Sequence, residues 1–110
     1  MAGAEGTLYS GEVFRLQFTF TPDYPIESPE VIFLHPPPRH PHIYTNGHIC
    51  LSILYDGWSP ALKVETVVMS ILSMLSSARE KSHPKGNDSY VQRCGKSPKQ
   101  TRWEFHDDEA

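Results

Sequence analysis

Cys50 is the residue on which chemistry could centre, because four of the six histidines, His35, His40, His42 and His48, lie within sixteen residues of it. Three chemistries use these residue types. His40, His42, His48 and Cys50 could supply four ligands for tetrahedral zinc. The spacing opposes that reading: His40 and His42 are separated only by Pro41 in an extended segment, which sends their side chains to opposite sides. No Cys-x-x-Cys or His-x-x-x-His element accompanies them. A cysteine hydrolase would need a histidine base near the sulfur and an orienting group behind it. His48, two residues along the same strand of chain, is badly placed for that. A solitary cysteine is otherwise a buried structural residue, so its neighbours must decide its role.

The elements around Cys50 follow from apolar spacing. Between Glu12 and Phe20, Phe14, Leu16, Phe18 and Phe20 alternate with Arg15, Gln17 and Thr19, which predicts a half-buried strand. Thr21-Pro22-Asp23-Tyr24-Pro25 breaks the pattern, since proline cannot donate to a ladder. Val31 to Leu34 suits a second strand beside the first. The stretch His35 to Pro41, with Pro36, Pro37 and Pro38 consecutive, should be stiff and extended. It fits a connection inside the domain better than an SH3 ligand, which normally sits in a disordered tail. Asn46-Gly47 is a turn signal, and Ile49-Cys50-Leu51-Ser52-Ile53-Leu54 follows it directly.

Val64, Val67, Val68, Ile71, Leu72 and Leu75 fall on one stripe at helical spacing, which predicts the helix that covers the sheet. After Pro84 and Gly86, Asn87 or Asp88 is expected to cap a shorter helix carrying Tyr90, Val91 and Cys94. Ser97-Pro98 should open a last turn. Strands followed by helices describe an α+β domain with an antiparallel sheet.

Composition bounds the rest. One hundred and ten residues and 12.5 kDa fit one domain or a piece of one. A hydrophobic content of 38% and a charged content of 21% are those of a chain that folds. The net charge of -3 argues against nucleic-acid binding by bulk electrostatics. No apolar run is long enough to span a bilayer, two cysteines make no disulfide framework, and no secretory signal is visible. The chain is therefore expected in a reduced compartment, cytoplasm or nucleus. Charge is uneven: residues 1 to 78 hold three Lys/Arg against seven Asp/Glu, residues 79 to 102 seven against two, and residues 103 to 110 none against four. A basic face for an acidic partner is one reading of the middle stretch and a solvated surface the more common one. Residues 1-5 are expected to be a disordered start, 6-102 the folded core, and 103-110, with Glu104, Asp107, Asp108 and Glu109, an acidic mobile tail.

Tyr24-Pro25-x-x-x-Pro29, His40-Pro41-His42, Gly47-His48-Ile49-Cys50-Leu51 and Trp58-Ser59-Pro60-Ala61-Leu62 occur together, in an order and spacing that resembles the ubiquitin-conjugating enzymes, from about Gly6 to Cys94. The chain looks most like their W-type branch, which has His-Pro-His where most members have His-Pro-Asn and which shares the ending Trp103-x-Phe105-His106-Asp107-Asp108. The resemblance implies that Cys50 takes the C-terminal carboxyl of ubiquitin as a thioester and passes it to an amine. It puts His42 in the place of the family's asparagine, as donor to the oxyanion or as holder of the loop. His40, Pro41 and Trp58 become structural neighbours of the site, and Ile26, Pro60 and Ala61 apolar contacts for RING-type ligases.

Departures matter too. Ser52 stands where many relatives have an acidic residue, and a second acidic position falls near His83 to Asp88, so Ser52, His83 and Asp88 are the candidates for assisting the incoming amine. The family's N-terminal helix and first strand do not precede Gly6, so the core is expected to be N-terminally shortened. That makes an inactive, binding-only variant of the same fold the runner-up, ahead of a zinc-binding structural domain. The implied partners are ubiquitin, the activating enzyme, ligases and protein substrates, with no cofactor of its own, since ATP is used by the activating enzyme.

Overall fold

The computed structural model describes residues 1–103. Strand β1 (Leu16–Thr19) pairs antiparallel with β2 (Glu30–Phe33), with Leu16 opposite Phe33 and Thr19 opposite Glu30. Leu16 and Phe18 are half-buried while Gln17 and Thr19 are exposed, which is the alternation the sequence carries. The strand is shorter than the run Glu12 to Phe20. At one end Val13 bridges Ala2 instead, and at the other Phe20 is half exposed just before Pro22.

The sheet continues toward Cys50 as single bridges. Ile32 pairs with His48 and Ile43 with Ile49, both antiparallel, and Phe33 N–H donates to the Gly47 carbonyl at 2.9 Å. Gly47 is required there. Its φ is +90°, and a Cβ would sit 2.1 Å from the Phe33 carbonyl oxygen. A one-turn 3-10 helix, Ser52–Leu54, then ends the extended segment.

Helix α1 (Val64–Ser76) buries Val67, Ile71, Met74 and Leu75 in one core with Tyr9, Phe14, Val31, Phe33, Ile43, Ile49, Leu51 and Leu54. Each such side chain contributes about 1.5–3 kcal/mol when fully buried. Val64, Val68 and Leu72, on the same predicted stripe, are only half-buried, and Met74 takes their place in the core. Helix α2 (Asn87–Arg93) begins one residue earlier than a cap at Asn87, and two earlier than a cap at Asp88, would allow: Gly86, at φ +72°, is its N-cap. Asn87 is used differently. Its Oδ1 accepts from Thr45 N–H at 3.0 Å and its Nδ2 donates to Thr45 Oγ1 at 3.1 Å, tying α2 to the turn before Cys50. A second 3-10 turn, Pro98–Gln100, is capped by Ser97 as the sequence predicts.

The first residues are not a disordered start. Gly3 N–H donates to Glu12 O at 2.9 Å, Phe14 N–H to Met1 O at 2.7 Å, and Gly3 lies so close to Tyr9 that a Cβ would meet its carbonyl at 1.9 Å. Small residues at positions 2 to 4 permit that approach. Of the expected acidic tail, 103-110, Trp103 is described and lines the cleft that holds Cys50, and residues 104 to 110 lie outside the described residues.

Candidate active site

The loop that presents Cys50 is fixed through two histidines whose ring nitrogens are fully used. His40, 1% exposed, accepts from His42 N–H through Nδ1 at 2.9 Å, so that nitrogen carries no proton. Nε2 must then be the donor, and it faces the Met74 carbonyl at 3.2 Å. Met74 is in the last turn of α1, where carbonyls lack helical partners, so the pair satisfies both groups. Burial lowers the His40 pKa to about 4, against a small opposing effect of the Met74 bond, and keeps the ring neutral.

His48 is held in the same manner. Nε2 faces Lys96 O at 3.3 Å and therefore donates, and Nδ1 takes the Tyr90 hydroxyl at 2.7 Å. Tyr90 Oη in turn pairs with Thr101 Oγ1 at 2.8 Å. Burial again lowers the histidine pKa, and burial of Tyr90 raises its own to about 12, so this chain of neutral hydrogen bonds persists through the physiological range.

These hydrogen bonds bear on the zinc and hydrolase readings. His40 and His48 have no lone pair left to ligate zinc, and among the described residues no three His, Cys, Asp or Glu side chains converge on a metal position. His48 is equally unable to act as the base of a hydrolase, because its nitrogens serve Tyr90 and Lys96.

Cys50 N–H donates to His42 O at 2.9 Å, which places both residues on the wall of an open cleft of about 470 Å³. Pro41, Tyr44 and Tyr90 line it, with Pro84 and Lys85 ahead of α2, Arg93 at its end, and Thr101, Arg102 and Trp103 beyond it. Tyr44 stacks on Tyr90 with centroids 4.0 Å apart, and Trp103 rests against Tyr55 and Tyr90 at 5.2 and 5.5 Å. The Tyr44 pKa is raised, first by burial and then by the Cys50 sulfur's charge.

The other candidates are distributed around this cleft. Ser52 opens the 3-10 turn after Cys50 and does not line the cleft. His83 and Asp88 border a neighbouring recess that shares only Pro84 with it. Trp58 packs against the core that holds Leu51 and Leu54, its Nε1 donates to Pro25 O at 2.9 Å and its ring meets Tyr24. It therefore pins together the two loops that expose Ile26, Pro60 and Ala61. The tryptophan at the cleft is Trp103, whose Nε1 donates to Pro98 O at 2.9 Å.

Tyr44, Thr101, Trp103 and the cations Lys85, Arg93 and Arg102 escape a reading of the sequence centred on the histidine-rich stretch. The cluster of positive residues from 79 to 102 is the signal that could have pointed to the last three.

Comparison with known proteins agrees with the geometry. The family model "Ubiquitin-conjugating enzyme" matches residues 1–106. The "Ubiquitin-conjugating enzyme E2 W" of Caenorhabditis elegans is 64% identical over 109 residues, covering 98% of this chain and 72% of that protein. The "Probable ubiquitin-conjugating enzyme E2 16" of Arabidopsis thaliana is 62% identical over 110 residues, covering 98% of this chain and 68% of that protein. Among solved structures, the ubiquitin-conjugating enzyme UbcA1 of Agrocybe aegerita superposes with a TM-score of 0.84 at 44% identity, over 86% of this chain and 70% of its own. A match along nearly the whole chain, at this identity and with this fold, makes the protein a member of the ubiquitin-conjugating enzyme family, whose members transfer ubiquitin through a cysteine thioester.

Proposed function

We propose that Cys50 is the cysteine that carries ubiquitin, and that the loaded protein prefers the α-amino group of a protein N-terminus as its acceptor. The observation that supports this most is the position of Cys50 on the cleft wall beside His42, in the segment that His40 and α1 hold. Its thiolate attacks the carbonyl by which ubiquitin is bound to the activating enzyme, and that enzyme's thiol leaves. In the second step an amine attacks the new thioester, the carbon–sulfur bond breaks, Cys50 departs as thiolate, and the nitrogen loses a proton. ATP is consumed upstream. His42 donates to the oxygen that becomes negative when the amine adds to the thioester.

The amine preference rests on what surrounds the cleft. No carboxylate is among its described lining residues, so none of the described residues there is a strong base that could take a proton from lysine. At pH 7 the neutral fraction of an α-amine of pKa ~7.8 exceeds that of a lysine of pKa ~10.4 by roughly 350-fold. A site without a base gains most from that difference. Ile26, Pro60 and Ala61, exposed on loops pinned by Trp58, form the surface for a RING-type ligase, and cytoplasm or nucleus keeps the thiol reduced.

Incubation with activating enzyme, ubiquitin and ATP, followed by intact mass, tests the first part. A thiol-sensitive adduct is expected; Cys50→Ser should give a thiol-resistant ester, because oxygen is the poorer leaving group. Cys94→Ser should load as before, since Cys94 Sγ faces Asn46 Nδ2 at 3.3 Å and lies off the cleft. No adduct at all would favour the binding-only reading. Discharge to lysine-free peptides and to acetylated peptides, followed from about pH 6.5 to 9, tests the second part: the α-amine advantage should shrink as pH rises.

A further inference from the structure

Three cations meet at the Cys50 cleft from three separate segments: Lys85 ahead of α2, Arg93 at the end of α2, and Arg102 after the second 3-10 turn. All three are exposed. The ion pairs among the described residues are Lys81 with Glu12 and Lys99 with Glu27, both at 2.6 Å, so none of the three is neutralised there. Two described carboxylates border recesses beside this group, Asp56 in one shared with Arg102 and Asp88 in the one that adjoins the cleft at Pro84, and neither pairs with any of the three cations. The whole chain has a net charge of -3, so a cleft lined by three positive side chains and no described carboxylate opposes the average field of the molecule. Aromatic walls from Tyr44, Tyr90 and Trp103 lower the local dielectric and concentrate that field inside the cleft.

We infer that Lys85, Arg93 and Arg102 select the acceptor, favouring protein segments with Asp and Glu next to the amine that attacks the Cys50 thioester. The inference rests on Cys50 being the loaded residue and is independent of which amine is used. Cations beside the thioester raise the local concentration of an acidic segment and also help keep the approaching amine unprotonated, because a positive neighbour disfavours the ammonium form. An arginine-rich segment meets like charge and stays out.

The test uses single-turnover discharge of the loaded protein to two peptide sets. One set has a free N-terminal amine and no lysine; the other is acetylated and carries one lysine. In each, the residues next to the amine are acidic, neutral or arginine-rich. At about 50 mM salt the acidic peptide should react about tenfold faster than the arginine-rich one, and the ratio should approach one at about 500 mM as the field is screened. The triple variant Lys85→Gln, Arg93→Gln, Arg102→Gln should lose the preference. Equal rates for the three peptides, or a preference that survives in the triple variant, would overturn the inference. Reaction of the lysine set alone, with the acidic preference intact, would sink the α-amine reading and leave this one standing. If the protein does not load, fluorescence anisotropy of labelled acidic and arginine-rich peptides on the unloaded chain decides the matter. Tighter binding of the acidic peptide, lost in the triple variant, supports selection, and equal binding refutes it.

Discussion

His40 and His42 are neighbours with opposite duties. His40 is a buried structural group: its nitrogens join the loop backbone to the end of α1, and its neutrality is enforced by burial. Its pKa of about 4 lies below the unfolded value of about 6.5, so the unfolded chain binds more protons between those values. Stability conferred by the neutral ring is therefore complete above about pH 6.5 and is lost as pH falls toward 4, up to about 3 kcal/mol in all. Urea unfolding across that window should show the decline, with His48 contributing in the same direction. His40→Gln should flatten the slope while lowering stability at neutral pH. His42 lines the cleft and accepts the Cys50 N–H through its backbone carbonyl. His42→Ala therefore keeps that hydrogen bond. As oxyanion donor its loss should slow discharge roughly 100-fold, about 2.7 kcal/mol, and slow loading less. His42→Asn should restore much of the rate in single-turnover assays. Equal losses in both steps with a lowered melting temperature would mark a structural histidine.

At the scale of elements, α1 is the support of the site and α2 its outer wall. Ile71 is 0% exposed at the centre of α1, whereas Met69 on the opposite side is 58% exposed. Ile71→Ala should cost about 2–5 kcal/mol in denaturant unfolding, and Met69→Ala should remain within about 0.5 kcal/mol. A loss at Met69 as large as at Ile71 would mean that the exposed face is covered in solution. Helix α2 is tied to the Cys50 loop by Asn87 and by Tyr90, whose hydroxyl lies between His48 and Thr101. Tyr90→Phe keeps the ring stacked on Tyr44 and removes only the oxygen, which leaves buried His48 Nδ1 without its donor. Such a group costs about 1–3 kcal/mol. The expected result is a lower melting temperature together with faster hydrogen exchange in α2, and an unchanged melting temperature would show that Nδ1 finds another partner.

The whole molecule separates two surfaces. The cleft lies among Cys50, α2 and Trp103; the two loops bearing Ile26, 77% exposed, and Pro60-Ala61 are joined by Trp58. Lys99 connects the regions, donating to Glu27 Oε1 at 2.6 Å and to Ser28 O at 2.7 Å, one turn before Thr101 and Trp103 enter the cleft. Ile26→Ala should diminish ligase-stimulated discharge far more than ligase-free discharge, measured side by side with one RING-type ligase. An equal effect on both would place Ile26 outside the ligase surface.

The sequence by itself determined whatever depends on local period and on motif. The alternation around Leu16 and Phe18, the Asn46-Gly47 turn, the helical period of α1 and the Ser97 cap are each settled by neighbours within a few residues, and the structure shows all four. The family was legible because its motifs are short and lie in fixed order along the chain. Tertiary structure decided what depends on residues far apart. Val13 leaves β1 where Ala2 comes back to pair with it, and Met74 rather than Val68 is buried in the core. Both ring nitrogens of His40 are consumed by a backbone N–H two residues away and a carbonyl thirty-four residues away. Lys85, Arg93, Arg102 and Trp103 meet Cys50 at one cleft although they lie far beyond it along the chain. Hydrogen-bond saturation and field convergence are sums over three-dimensional neighbours, and no window of sequence contains them.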